Sequence, residues 1–184
     1  MAGYYEVIVR AHDHDLIPFV DGVAAGSGHR GIYAAQHAGL QMQPLRDRIK
    51  HRGEVQHVIC ADQALAALRD AIGNAPARYK FEVLEESKLR EAEVRFAFKT
   101  PSRDVAKQIK AVLGKLPPGV TLLDYEPEEA EDPGARGAEV YSPAHDYMFR
   151  GGGVLQGDVG GVIDTRALLS EIEFVDCGEI ELHR

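Results

Sequence analysis

Both halves of the chain contain the same order of predicted secondary-structure elements. In the first half, the hydrophobic spacing predicts strands over residues 4–11, 31–40, 54–61 and 78–85 and helices over 16–26 and 62–74. In the second half it predicts strands over 91–100, 119–127, 145–157 and 177–184 and helices over 101–116 and 158–172. Each half therefore has the order β-α-β-β-α-β. Four antiparallel strands with two helices on one face satisfy that order in a small unit.

The sequence thus predicts an α+β protein of two tandem ferredoxin-like βαββαβ units, with antiparallel sheets and helices on one face. The length of 184 residues fits two small domains, and we place them at 1–88 and 89–184, with the seam inside "ESKLRE". Each sheet keeps one face without helices, and such faces are usually buried by pairing. We therefore expect either packing of the two halves as a pseudo-dimer or a homo-oligomer.

Charge, hydropathy and cysteine placement limit the partners that the protein can bind and the cellular compartment in which we expect it. The formal net charge of −8 repels nucleic-acid backbone and anionic membrane, so we expect neither as a partner. No window approaches the roughly 20 apolar residues of a membrane helix, and "MAGYYEVIVR" lacks signal-peptide character. Cys60 and Cys177 lie in apolar runs without a CxxC pattern, which indicates buried free thiols. We expect a soluble, cytoplasmic protein.

The segment "GEVQHVICADQALAALRDAIGNA" has a strand that ends in an acidic turn and leads directly into an amphipathic helix. In this it resembles the PII-type nitrogen regulators and their CutA-like relatives, over about residues 4–85. The strand "GIYAAQHAGL" then precedes their signalling-loop position, which "QMQPLRDRIKHR" occupies. The resemblance implies a regulatory protein of ferredoxin-like fold. Two features depart from that family: the first helix follows "HDHD", and a single-domain member has no second unit.

The "HDHD" run at residues 12–15 is a candidate metal site. If the first strand continues through it, His12 and His14 point to the same side and can serve as two imidazole ligands. A third ligand then has to come from elsewhere, for example His29, His37 or His57. In the alternative, which we favour, Asp15 caps the following helix and the histidines are solvated.

Two further stretches carry basic residues. In "GSGHRG", His29 and Arg30 beside flexible glycines are candidate ligands of an anion, and the alternative is a helix C-cap with a tight turn. The densest basic stretch, residues 43–53, is a candidate loop for a protein partner or phosphates, and the alternative is a solvated loop. Its candidate contact residues are Arg46, Arg48, Lys50 and Arg52.

The run Arg150, Gly151, Gly152 and Gly153 is a candidate ligand-binding segment. Consecutive glycines weaken a strand unless something approaches the backbone closely. A nucleotide phosphate or adenine meets that condition, and so does a β-bulge or a second chain. The following helix begins at Asp158, which is its expected N-cap.

No GxSxG, HExxH or Cys–His signature of a hydrolase is present. The leading prediction is therefore a non-catalytic binding or regulatory protein that senses a small anionic ligand or metal ion, with a nucleotide or divalent metal as candidate cofactor. The first alternative is a small enzyme with an acid/base or metal site in a cleft between two sheets, using His12, His14 and His145. The second alternative is a structural, oligomer-forming module.

Overall fold

The computed structural model describes residues 3–11, 13–27, 31–34, 55–129 and 148–184. Their contacts form two compact units. The first unit comprises Met1–Ala92 together with Ile180–Arg184, and the second comprises Glu93–Glu179. The assignment of residues 1–88 and 89–184 to separate domains remains a prediction.

The first unit contains one antiparallel sheet and two helices. Its elements are β1 (Tyr4–Arg10), α1 (Asp13–Ser27), β2 (Ile32–Ala34), β3 (Val55–Ala61), α2 (Asp62–Gly73), a 3₁₀ turn (Ala77–Tyr79) and β4 (Glu82–Leu89). The strand order is β2-β3-β1-β4, with β1 opposite β3 from Tyr4↔Ala61 to Arg10↔Val55. This is the ferredoxin-like order of strands.

The second unit repeats the arrangement. Its elements are β5 (Glu91–Thr100, of which the first two residues belong to the first unit), α3 (Arg103–Leu113), β6 (Val120–Leu123), β7 (Glu128–Glu129), β8 (Phe149–Gly157), α4 (Val159–Ser170) and β9 (Val175–Cys177). Strand β5 lies between β9 and β8, and β6 lies on the other side of β8. The last strand, β10 (Glu181–His183), belongs to the first unit. The predicted α+β class with two tandem ferredoxin-like units is confirmed.

Both faces of the first sheet are buried at its central strands, β1 and β3. Val7 and Val9 of β1 pack with α1 and α2 in one apolar cluster, to which Val58, Leu65 and Leu68 also belong. The residues that alternate with them point to the opposite face, and they are equally buried: Glu6, Ile8, His57 and Ile59 are each no more than 3 % exposed. The second face therefore combines apolar side chains with ionisable ones.

The core of the second unit comes from the alternation predicted for β5. Val94, Phe96 and Phe98 are buried, whereas the residues between them are exposed. Helix α4 is buried around most of its circumference, and Gly161 lets it approach β6, because a Cβ at Gly161 would lie 2.6 Å from Cγ2 of Val120. The predicted cap of this helix is confirmed: Oδ2 of Asp158 accepts from the Gly161 amide at 3.0 Å.

Several predicted boundaries were wrong, among them the last strand over 177–184, which is two short strands, β9 (Val175–Cys177) and β10 (Glu181–His183). Residues 78–85 do not form a strand throughout, because Ala77–Tyr79 form a 3₁₀ turn and β4 begins only at Glu82. Lys80 adopts a left-handed conformation (φ 51°), which ends the turn and delays the strand. The first helix begins at Asp13, so Asp15 lies in its first turn and is not the residue before it.

Candidate functional site

A pocket of about 500 Å³ lies in the first unit, where the end of α2 meets the 3₁₀ turn and the start of β4. We call it the first-unit pocket, and it is lined by Arg69, Ile72, Gly73, Ala75, Pro76, Ala77, Lys80, Phe81 and Val83. Helix α2 positions Arg69 and Ile72 one turn apart, since residues three apart share a helix face. The helix ends at Gly73, and the chain then turns back along the pocket to β4.

Aromatic rings brace the wall formed by Phe81. The ring of Tyr79 stacks on Phe81 with centroids 5.2 Å apart, and Phe19 of α1 meets Phe81 edge-on at 5.0 Å. The guanidinium of Arg78 lies 4.8 Å from the centre of the Tyr79 ring. Offset and edge-on aromatic contacts are favourable, so this side of the first-unit pocket is held in one arrangement.

The charged groups of the first-unit pocket are both cations. Arg69 donates from Nε to Oε1 of Glu86 at 2.9 Å, and a second, shorter contact joins Nη2 to Oε2. This hydrogen-bonded partner lowers the pKa of Glu86 and raises that of Arg69, so the pair is ionised. The Lys80 side chain is exposed, and within the described chain its ammonium has neither a hydrogen bond nor an ion pair. Lys80 therefore contributes an uncompensated positive charge.

A second pocket, of about 380 Å³, lies in the second unit beside the predicted segment on β8. This second-unit pocket is lined by Phe98, Lys99, Asp124, Glu126, Glu128, Arg150, Gly151 and Gly152. Arg150 pairs through its guanidinium with Oε2 of Glu128 on β7. Three carboxylates against two cations leave the lining with a net negative charge. The charge of Arg150 is therefore already compensated.

The glycine run of β8 contacts protein atoms at short range. A Cβ at Gly151 would lie 2.9 Å from the Phe98 ring, and one at Gly153 would lie 3.0 Å from the carbonyl oxygen of Leu123. On the opposite face, a Cβ at Gly152 would lie 2.8 Å from the Phe96 carbonyl oxygen. Close packing of β5 and β6 thus accounts for these glycines, and contact with a ligand remains a prediction.

An ionic cluster is buried on the second face of the first sheet. Nδ1 of His57 on β3 donates to Oε1 of Glu6 on β1 at 2.9 Å, and Nη2 of Arg184 donates to Oε2 of the same carboxylate at 2.7 Å. Nη1 of Arg184 also reaches Oε1 of Glu85 on β4 at 3.3 Å, and Ser87 donates to that oxygen at 2.9 Å. Burial raises the pKa of Glu6, but the donors His57 and Arg184 outweigh it and lower the pKa. Glu6 is therefore a buried carboxylate whose two oxygens are both bonded.

Most of the other predicted site residues lie outside the described residues: His12, His29, Arg30, Arg46, Arg48, Lys50 and Arg52. His14 is within α1, but its side chain is not among those described. The strand β1 ends at Arg10 and His14 lies in α1, and the pair of metal ligands His12 and His14 remains a prediction. Among the described residues, no three His, Cys, Asp or Glu side chains are arranged to hold a metal ion.

Neither the first-unit pocket nor the buried ionic cluster was predicted, although the sequence contains a signal for each. Residues 78–81 alternate basic and aromatic side chains, a pattern that marks a surface able to bind anions beside apolar groups. Glu6 and His57 each interrupt an apolar strand, and an ionisable residue in a buried strand needs a partner. Their pairing became visible only from the register, in which Ile8 faces His57 and Glu6 is two residues away on the same face.

The two cysteines are free thiols. Cys60 is fully buried, and that burial raises its pKa to about 12. Cys177 is only partly buried, and burial raises its pKa as well. Because thiolates rather than thiols react, neither environment activates its cysteine as a nucleophile. The described part of the chain also has no helix long and apolar enough to cross a membrane.

No protein-family model and no curated protein matches the sequence. Among solved structures, the chain is similar to an unknown protein from Galdieria sulphuraria at 14 % identity and a TM-score of 0.30, covering 99 % of this chain and 97 % of that one. It is also similar to the acetolactate synthase small subunit from Thermotoga maritima at 12 % identity and a TM-score of 0.41, covering 99 % and 96 %. Because both TM-scores are below 0.5, we infer neither fold nor function from them.

Proposed function

We propose that this chain is a non-catalytic binding or regulatory protein that senses a small anionic ligand in the first-unit pocket. The observation that carries the proposal is Lys80, which lines that pocket and whose ammonium has no partner in the described chain. In a protein of net charge −8, an anion is attracted only where cations are locally in excess. Lys80 supplies such an excess.

The other walls of the first-unit pocket favour a ligand with an apolar part. Ile72, Pro76, Phe81 and Val83 line it, and its volume of about 500 Å³ falls in the range of small-molecule sites. A site of this kind combines apolar surface with a few polar groups that orient the ligand. A carboxylate or phosphate beside Lys80, with an apolar or aromatic body against Phe81, satisfies both requirements.

The second-unit pocket supports an anionic ligand less well. Its lining contains Asp124, Glu126 and Glu128, and Glu128 already neutralises Arg150. A phosphate there would meet three carboxylates that repel it, against the ammonium of Lys99 and a guanidinium that is already paired. The first-unit pocket is therefore the better site for the anion that the sequence led us to expect.

Other parts of the proposal are supported by the sequence alone. They are a relationship of the first half to the PII and CutA group, a cytoplasmic location, a homo-oligomer, and a protein partner that contacts Arg46, Arg48, Lys50 and Arg52. The candidate metal ligands His12 and His14 also belong to this set. Each follows from the residue patterns described above.

Lys80→Asn tests the proposed function, since Asn tolerates the left-handed conformation and removes the ammonium together with most of the aliphatic chain. Three probes are titrated separately into the protein: the anions benzoate and AMP, and benzylamine, a cation of similar shape to benzoate. Binding is followed by the NMR shifts of the amides of residues 72–83. We expect one of the two anions to bind and Lys80→Asn to weaken it about tenfold, which corresponds to about 1.4 kcal/mol for a charged contact.

Lys115→Gln is the matched control, because Lys115 is also an exposed lysine and lines neither pocket. It should bind the anion as the unchanged protein does. A second variant, Ala75→Leu, fills the first-unit pocket without altering charge and should also weaken binding. If neither anion shifts those amides, or if benzylamine binds as well as benzoate, the proposed function is wrong.

A further inference from the structure

The segment Ile180–Arg184 belongs to the first unit, although the whole second unit separates it in sequence from the rest of that unit. We propose that this segment is a strap that closes over the buried pair of Glu6 and His57, is held shut by Arg184, and can open while the first unit stays folded. The proposal concerns the second face of the first sheet and does not depend on the function of the first-unit pocket.

Arg184 is the lock of this strap. Its two terminal nitrogens contact different strands, since Nη2 reaches Glu6 on β1 at 2.7 Å and Nη1 reaches Glu85 on β4 at 3.3 Å. The Glu6 side chain is 1 % exposed, whereas the Arg184 side chain is 24 % exposed. Arg184 therefore joins a buried carboxylate to a side chain that is partly open to solvent. Because both partners are charged, this contact is stronger than a neutral hydrogen bond.

The pair beneath the lock is an acid–base pair removed from water. Glu6 and His57 have side chains 1 % and 2 % exposed and are joined at 2.9 Å. Two ionisable groups are bonded to Glu6: His57 from β3 and Arg184 from the strap. Glu85 of β4 bonds to the guanidinium of Arg184 as well. An opened strap would expose a carboxylate and an imidazole together.

Outside Arg184, the strap is held in the described part of the chain by one short strand, which pairs with β5, and by one buried apolar side chain. Its strand β10 is three residues long, the Arg90 amide donates to the His183 carbonyl oxygen at 2.8 Å, and Ile180 is fully buried. Short segments with few contacts open at lower free energy than the core of a unit. Loss of the ionic lock should therefore release the strap before β1 and β3 separate.

Hydrogen exchange measured by NMR on the full chain tests this. We expect Arg184→Gln to accelerate exchange of the amides of residues 181–183 about tenfold or more, while the amides of β1 and β3 exchange as before. Glu6→Gln should accelerate the same amides, since it removes the charge from the other side of the contact. Arg184→Lys keeps the positive charge but loses the two-pronged guanidinium. Its exchange rates at residues 181–183 should lie between those of the unchanged protein and those of Arg184→Gln.

Arg10→Gln is the matched control, because Arg10 forms an ion pair of 2.6 Å with Glu82 between the same strands but outside the strap. Arg10→Gln should leave the exchange rates of residues 181–183 unchanged.

Modification of His57 by diethyl pyrocarbonate, followed by peptide mass spectrometry, should rise in Arg184→Gln and stay low in Arg10→Gln. If Arg184→Gln does not fold, Glu85→Gln, which removes only the outer contact, should give a smaller acceleration. Unchanged exchange at 181–183, or equal acceleration throughout the first unit, would overturn the strap.

Discussion

At the scale of single residues, glycines set how closely the strands of the second unit approach one another. Gly157 ends β8 with φ 134°, and a Cβ there would lie 1.9 Å from the carbonyl oxygen of Gly119. The adjacent Asp158 amide donates to that same oxygen at 2.9 Å. No side chain can replace glycine at residue 157 without moving the turn before β6, because both the dihedral angle and the space exclude it.

Gly157→Ala should therefore destabilise the second unit by about 2 kcal/mol or more, since strain and steric overlap add. Thermal unfolding followed by circular dichroism measures the effect. Gly22→Ala is the control with the same chemical change, because Gly22 lies in α1 with nothing within 4 Å of its Cβ position. Alanine should stabilise that helix by up to about 1 kcal/mol. A Gly157→Ala protein as stable as the unchanged chain would contradict the packing described here.

At the scale of secondary-structure elements, the starts of two helices are set by side-chain caps. Ser102 accepts from the Val105 amide at 3.3 Å before α3, and Asp158 accepts from the Gly161 amide at 3.0 Å before α4. Helix α2 begins without a side-chain cap, after Ala61. Its buried face of Ala64, Leu65, Leu68 and Ile72 packs into the core of the first unit. Capping and packing thus position different helices.

Asp158→Ala should cost about 1 kcal/mol, because it removes the side-chain acceptor of the Gly161 amide at the start of α4. Asp158→Asn keeps an acceptor oxygen and should lose much less. Hydrogen exchange of the α4 amides reports the change locally, without assuming that the two units unfold together. Equal exchange in the alanine and asparagine variants would show that the cap does not hold this helix.

The elements that the sequence predicted well are those whose spacing is set by a single buried face. Strand β5 was predicted at its observed bounds, because Val94, Phe96 and Phe98 alternate without interruption. Strand β4 was misplaced by about four residues at its start, since Tyr79 and Phe81 continue an alternation that the turn at Lys80 breaks. Alternation of apolar and polar residues cannot distinguish a strand from a turn in which every second residue is also apolar.

At the scale of the whole molecule, buried charge makes the stability of the first unit depend on pH. The donors His57 and Arg184 outweigh burial and hold the pKa of Glu6 below its ordinary value of 4.5. A carboxyl with a lowered pKa in the folded state contributes stability above its unfolded pKa and loses it as the pH falls through the folded value. The contribution of Glu6 is therefore complete at neutral pH and disappears in acid, below about pH 4.5.

Urea unfolding between pH 7 and pH 3 measures this dependence. We expect the unchanged protein to lose more stability over that interval than Glu6→Gln, which is less stable at pH 7 and has no carboxyl to protonate at this position. Glu82→Gln is the control, because Glu82 is 56 % exposed and its ion pair with Arg10 lies at the surface. Parallel pH profiles for the unchanged protein and Glu6→Gln would show that the buried cluster does not govern acid stability.

The sequence by itself determined the class of the protein and the repeat of the βαββαβ order, because both depend on the spacing of apolar residues along the chain. It also identified Asp158 as a cap, since that contact is local. Only the tertiary structure decided that Lys80, Arg69 and Phe81 share a pocket and that Arg184 meets Glu6 from 178 positions away. Contacts at that distance depend on strand order and register, and these are set by how complete faces pack rather than by any short stretch of sequence.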